Sequence, residues 1–182
     1  FATRLAAHGF EPTVLTVSDA KDPWVGKDAP VPPNIAIERS RELNIARIAD
    51  LLHGVWSRVL RLFGREAQYN YFLDLICIPD AHVLWFALWR GWKLARRSDL
   101  IYVSCSPFSA AITGVLLKWL CKKPLVVDFR DPWTCNPYVV HSKFHNAISV
   151  CFEKWILKHT DALVLNTPGT LKLYQKLYPE HS

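Results

Sequence analysis

Apolar residues along this chain follow two periods. Short β-branched runs that stop abruptly at polar residues alternate with longer stretches whose apolar positions recur every three or four residues. The short runs are Thr13 to Ser18, Ile35 to Glu38, Leu100 to Ser104, Leu125 to Val127 and the stretch Asp-Ala-Leu-Val-Leu-Asn-Thr from Asp161 to Thr167. Each predicts a strand. Helices are predicted over Phe1 to His8 with Gly9 as the stop, Asn44 to Arg65, Pro79 and Asp80 (as caps) to about Arg97, Ala110 to Cys121, Phe144 to His159, and Gly169 to Tyr178. Between the first two strands, Asp19 to Asn34 carries four prolines and reads as a long surface loop. Strands alternating with helices in this way predict an α/β fold: one Rossmann-like domain over 1–182, its parallel sheet covered by helices on both faces.

The pattern is sharpest at Pro-Leu-Val-Val-Asp-Phe-Arg-Asp-Pro-Trp-Thr, Pro124 to Thr134. An apolar run there reads as a strand buried on both faces, and it ends in Asp128, Arg130 and Asp131. In open α/β sheets ligands bind at the carboxyl ends of the strands, which makes these three the candidate catalytic residues. A loop-tying ion pair is the plainer reading of any single Asp-Arg pair. Two further strands repeat the design, however, delivering Ser104 and Asn166 with Thr167 to the same edge. Trp133 offers a flat apolar wall beside the charges. Ser106 and Pro107 suit the N-cap and first position of the following helix, where the hydroxyls of Ser106 and Ser109 favour an anion. Capping alone accounts for Ser106 equally well.

Charge adds a partner class. The chain has 22 Lys and Arg against 16 Asp and Glu, a formal +6, and eight tryptophans. An anionic partner follows: a phosphate-bearing ligand, nucleic acid or acidic lipid. No helix-turn-helix, RNA-recognition or zinc-finger pattern is present, so nucleic acid is set aside. Between Arg39 and Arg65 six arginines face only Glu42 and Asp50. Within that stretch Ile45, Ile48, Leu51, Leu52, Val55, Trp56, Val59, Leu62 and Phe63 share one helical side, with Arg47, Arg58, Arg61 and Arg65 off it. One reading is a helix that packs its apolar side into the core and leaves a solvated basic face. The other is an interfacial helix in which Trp56 and the four arginines contact an anionic membrane.

The five cysteines, at 77, 105, 121, 135 and 151, are odd in number and never in Cys-x-x-Cys spacing. That argues against a disulfide framework and a structural zinc site and fits a reducing cytosol. Cys105 and Cys135 lie near the proposed site and are assigned no nucleophilic part. His141 and His145, close to the central motif, are structural in the commoner case and ligands in the other. The longest apolar run, Val83 to Trp89, is too short to cross a bilayer. With no Met in the chain, a start upstream of Phe1 is expected.

Read together, Pro79-Asp80 with Trp85, Asp99-Leu-Ile-Tyr-Val-Ser, Ser106-Pro-Phe-Ser-Ala, Asp128-Phe-Arg-Asp-Pro-Trp-Thr and Asp161-Ala-Leu-Val-Leu-Asn-Thr resemble the amino-terminal domain of family 4 glycosyltransferases. The resemblance covers nearly the whole chain. It implies half of a GT-B enzyme, in which the amino-terminal Rossmann-like domain binds the acceptor and a second domain grips the nucleotide sugar. It further implies a retaining hexosyltransferase of surface polysaccharide synthesis, with a glycan or lipid-linked acceptor, at the cytoplasmic face of the membrane. The nucleotide sugar is a co-substrate, and neither cofactor nor metal is expected. Two departures bear on activity. The first strand with its glycine-bearing loop is expected upstream of Phe1, and Ala111 stands where relatives often carry a histidine; the family's Glu-x7-Glu element, which belongs to the second domain, has no counterpart here. A non-catalytic binding module or degenerate relative is therefore the competing reading.

Overall fold

The computed structural model describes residues 2–17, 35–41, 43–83, 85–136 and 141–181. The loop expected over Asp19 to Asn34 lies outside them. Seven strands and seven α-helices follow one another along the described residues, in strict alternation from β4 onward: α1 (Ala2–Ala6), β1 (Thr13–Val17), β2 (Ala36–Ser40), β3 (Leu43–Asn44), α2 (Ala46–Leu62), α3 (Tyr71–Ile76), β4 (His82–Val83), α4 (Trp85–Ala95), β5 (Ile101–Cys105), α5 (Ser109–Cys121), β6 (Leu125–Phe129), α6 (Lys143–His159), β7 (Ala162–Leu165) and α7 (Pro168–Leu177). The strands β1 and β2 pair in parallel, as do β5, β6 and β7 in that order, while β3 and β4 form a short antiparallel pair. The parallel α/β character read from the alternating periods is what the structure has.

The core lies on one face of the β5-β6-β7 sheet. Leu125, Val127 and Phe129 are fully buried there, whereas Val126 and Asp128 on the opposite face are half-buried. The middle strand is thus sealed on one side, not on both as its unbroken apolar run suggests. Close approach explains the sealed side. A Cβ on Gly114 of α5 would meet Val103 Cγ2 at 2.7 Å and Leu125 Cδ1 at 3.1 Å. Only glycine lets α5 lie this near the sheet. At Gly91 of α4 an added Cβ would lie 2.8 Å from Leu117 Cδ1 of α5, a contact that the flexible leucine side chain can relieve by shifting.

Helix α6 buries more than its apolar stripe: Ile156 is in the core and Phe152 and Trp155 pack against it. Ile148, Phe152, Trp155 and Ile156 share one side by their spacing, and the buried stripe beside them is His145, Ser149, Glu153, Ile156 and Leu157. Partners distant in sequence satisfy part of that polar stripe, as described below.

Helix α4 starts at Trp85, and Asp80 does not cap it. Asp80 Oδ2 instead accepts the backbone N–H of Ser109, at 2.8 Å, while its Oδ1 accepts that of His82 at 2.9 Å. The carboxylate therefore caps α5, 29 residues away in sequence. Segment 43–83 leaves the parallel framework as an excursion built from α2 and α3, closed at its base by the β3-β4 pair and by Ile45 N–H donating to Ala81 O at 2.9 Å.

Candidate functional site

In the three-stranded sheet the register aligns Ser104 with Asp128 and Asp128 with Val164, and the last rung is Cys105, Phe129 and Leu165. Ser106, Arg130 and Asn166 directly follow that rung. Because the strands are parallel, their polar tips lie along one rim, as the sequence pattern predicts.

Asp128 sits one residue before the end of β6, on the half-buried face, and its Oδ2 accepts the Tyr102 hydroxyl at 2.8 Å. Burial, and then the neighbouring carboxylate, push the Tyr102 phenol well above its ordinary value. The phenol is therefore a standing donor to Asp128. Arg130 and Asp131 are exposed, and Arg130 is held by its backbone N–H to Cys105 O at 3.4 Å. Ser104, Ser106 and Asn166 are exposed as well.

Three other expected site residues have structural duties. Trp133 is 7% exposed, with its indole stacked on Phe108 at 4.7 Å and 5° between planes, and Phe108 meets Phe129 edge-on. The expected wall is turned into the core, because the Phe108 ring offers it a larger apolar contact than water does. Thr167 caps α7, its Oγ1 accepting the Thr170 N–H at 3.1 Å. Ser109 gives its N–H to Asp80, so the amino end of α5 already has a carboxylate where an anion was expected, and its own hydroxyl is buried without a partner. Ala111 is fully buried.

Sequence reasoning missed what holds the rim loop from below. Glu153 of α6 is fully buried and accepts hydrogen bonds from Tyr174, from Tyr178 at 2.7 Å, and from Thr134 Oγ1. Tyr174 Oη in turn accepts the Trp133 N–H at 3.2 Å. One carboxylate therefore anchors both backbone and side chain of the segment behind Arg130 and Asp131. Burial, with help from Glu153, raises the phenols of Tyr174 and Tyr178 far above their usual value. They stay protonated and donate. The only sequence trace of this arrangement is the four-residue spacing of His145, Ser149 and Glu153 on α6.

Cys105 is buried beneath the rim, which pushes its thiol up to about 12, and burial raises Cys135 too. Neither is poised as a nucleophile. The rim thus offers an exposed guanidinium, two carboxylates and hydroxyl or amide groups, with the segment behind them hydrogen-bonded from beneath through Trp133 and Thr134. Such a set recognises hydroxyls and phosphates.

A model of the glycosyl transferase 4-like domain matches residues 1–181. The chain belongs to that family. A comparison with curated proteins gives no match. Family membership carries a glycosyltransferase-type role and agrees with the parallel α/β architecture of a GT-B half.

Helix α2 of this glycosyltransferase-like domain departs from ordinary core packing. Among its described residues the one that is buried is Ala49, and fully so. Ile48, Leu51, Leu52, Val55, Trp56, Val59, Leu62 and Phe63 are all exposed, Leu51 to 69%, Phe63 to 76% and Leu62 to 85%. At 100° per residue they span an arc of about 140°. Arg47 and Arg58 border the arc on one side with Arg61 behind them, and Arg65 follows the helix end; all four are exposed. No described helix is long and apolar enough to cross a membrane.

Proposed function

We propose that this chain is the acceptor-side domain of a retaining glycosyltransferase that moves a sugar from a nucleotide-sugar donor to a glycan or lipid-linked acceptor at an anionic membrane face, as in surface polysaccharide assembly. Sugar transfer follows from the family. The observation that carries the choice of location is the exposed apolar face of α2 bordered by arginines. A core-packing helix hides its apolar side, whereas an interfacial helix presents it and keeps cations at the border, where their stems lie on the acyl boundary and their charges meet lipid phosphates.

In this reading the domain positions and neutralises and does no covalent chemistry of its own. Asp128 and Asp131 accept acceptor hydroxyls, and Arg130 presents a planar fork to the departing diphosphate or to an acidic acceptor. Ser104, Ser106 and Asn166 line the approach along the rim.

The test has two arms on the full-length protein. Binding to phosphatidylglycerol vesicles is expected to weaken with salt, and changing Arg58, Arg61 and Arg65 to Glu together is expected to reduce it at least tenfold, as is Leu62→Ser with Phe63→Ser. Unchanged vesicle binding in the arginine variant removes the membrane assignment. Separately, Arg130→Ala and Asp131→Ala are each expected to lower sugar transfer by about 100-fold with unaltered folding. Normal turnover in both removes the site assignment.

A further inference from the structure

Away from the rim, at the junction of α3 and α6, three metal-ligating side chains converge. Asp74 Oδ1 lies 3.5 Å from His141 Nδ1 and 3.7 Å from His145 Nδ1. The three candidate ligand atoms all fall within 4.8 Å of one another. The two imidazoles stack with centroids 3.7 Å apart.

The carboxylate is held in place for this arrangement. Its Oδ2 accepts the Tyr69 hydroxyl at 2.7 Å and the Ser142 N–H at 3.0 Å, which leaves Oδ1 turned to the imidazoles. Burial alone would raise the Asp74 carboxyl, but the bonds from Tyr69, Ser142 and His141 together outweigh it and hold it below the usual range. Ser142, the N-cap of α6, accepts the His145 N–H at 3.2 Å, which fixes the second histidine relative to the first. His145 is 2% exposed, its Nδ1 lies 3.2 Å from Asp74 O, and its Nε2 is buried without a partner. A metal at Nδ1 would displace this contact with Asp74 O, and Nε2 would take no part in binding it.

We propose that Asp74, His141 and His145 form a zinc site. Two imidazole nitrogens and a carboxylate oxygen are a donor set that zinc accepts and that magnesium and calcium, which take oxygen ligands, do not favour. Bonds of about 2.0–2.1 Å in a tetrahedron place ligand atoms about 3.3–3.4 Å apart, so both carboxylate-to-imidazole spacings need to shorten by only a few tenths of an ångström. A metal lies in the plane of each ring that binds it. The exposed His141 ring therefore turns out of the stack on binding, and the solvent side of that ring supplies the fourth position. Tyr69 and Ser142 are the outer groups that orient the carboxylate. Zinc here ties α3, which packs on α2, to the start of α6. The site is independent of the sugar-transfer reading and supplies no step of it.

The test uses the full-length protein stripped by chelator and then titrated with Zn²⁺ in a calorimeter, followed by thermal unfolding and by the visible spectrum with Co²⁺. The expected result is one equivalent bound tightly, a zinc-dependent rise in Tm, and a cobalt spectrum without a thiolate band. His141→Ala, at an exposed position where folding is retained, is expected to abolish the Tm rise, and Tyr69→Phe to weaken zinc at least tenfold. Absence of a Tm rise in the wild-type protein, an undiminished rise in His141→Ala, or a thiolate band placing the metal on cysteine overturns the assignment.

Discussion

Tyr102 donates its phenolic hydrogen to Asp128 Oδ2 across 2.8 Å, from the strand next to the one that carries the candidate carboxylate. This bond takes one of the lone pairs through which Asp128 could hold a hydroxyl. Tyr102→Phe is expected to cost about 1 kcal/mol or less in urea unfolding, since water can replace the phenol at a half-buried carboxylate. It is expected to alter KM for the acceptor more than kcat. The phenol value is raised on folding, first by burial and then by Asp128, so its contribution is present below the unfolded value of about 10 and is lost as pH rises through the folded one. Asp128→Asn is therefore expected to bring phenolate absorbance in at lower pH. No change in that titration removes the coupling.

Glu153 tests whether the rim loop depends on what lies beneath it. Glu153→Ala leaves the hydroxyls of Thr134, Tyr174 and Tyr178 without their acceptor, an expected loss of about 3 kcal/mol or more. Glu153→Gln keeps an accepting oxygen and is expected to lose less. In that milder variant sugar transfer is expected to fall even where the protein stays folded, because Thr134 and Trp133 hold the segment behind Arg130. Full transfer in folded Glu153→Gln separates the anchor from activity.

Asp161 provides the acid-side prediction. Its Oδ1 accepts from Lys118 Nζ and its Oδ2 from the Leu125 N–H, both at 2.7 Å, and the Lys118 bond followed by the Leu125 bond lowers its carboxyl value. A lowered folded value gives stability that is present above the unfolded value of about 3.9 and lost as pH falls through the folded one. Asp161→Asn retains an oxygen for Leu125 but not the charge. It is expected to lower stability at neutral pH by under about 1 kcal/mol, given the exposure of the pair, and to match the wild-type protein at the acid end. A gap that persists unchanged into acid contradicts the ionic origin.

The parallel strands were legible because each is a short apolar run with an abrupt polar end, and Leu125 to Asp128 shows why that suffices: packing and termination are both local. The polar part of the buried face of α6 was not legible. Apolar spacing favours Ile148 and Phe152, but Glu153 is drawn inward by three hydroxyls, two of them more than twenty residues further along the chain. Asp80 has the same history, since its partner Ser109 is visible only once the chain has folded back. Trp133 could have faced either way beside its charges, and Phe108 decides the matter. The pair β3 and β4 and the six-residue α3 are too short to show a period. For α2 the pattern of apolar and basic positions was plain in the sequence, but which side meets the body was not.

The capping of α5 by Asp80 acts over a longer range than one turn of helix. Asp80 stands at the foot of the 43–83 excursion, and Asp74 within it grips the Ser142 N–H of α6. The excursion is thus bolted to the body at two separate places, which denies it a free swivel. Whatever surface α2 rests on, the heading of the rim relative to that surface is set by these two bolts, as the angle of a blade is set by its handle.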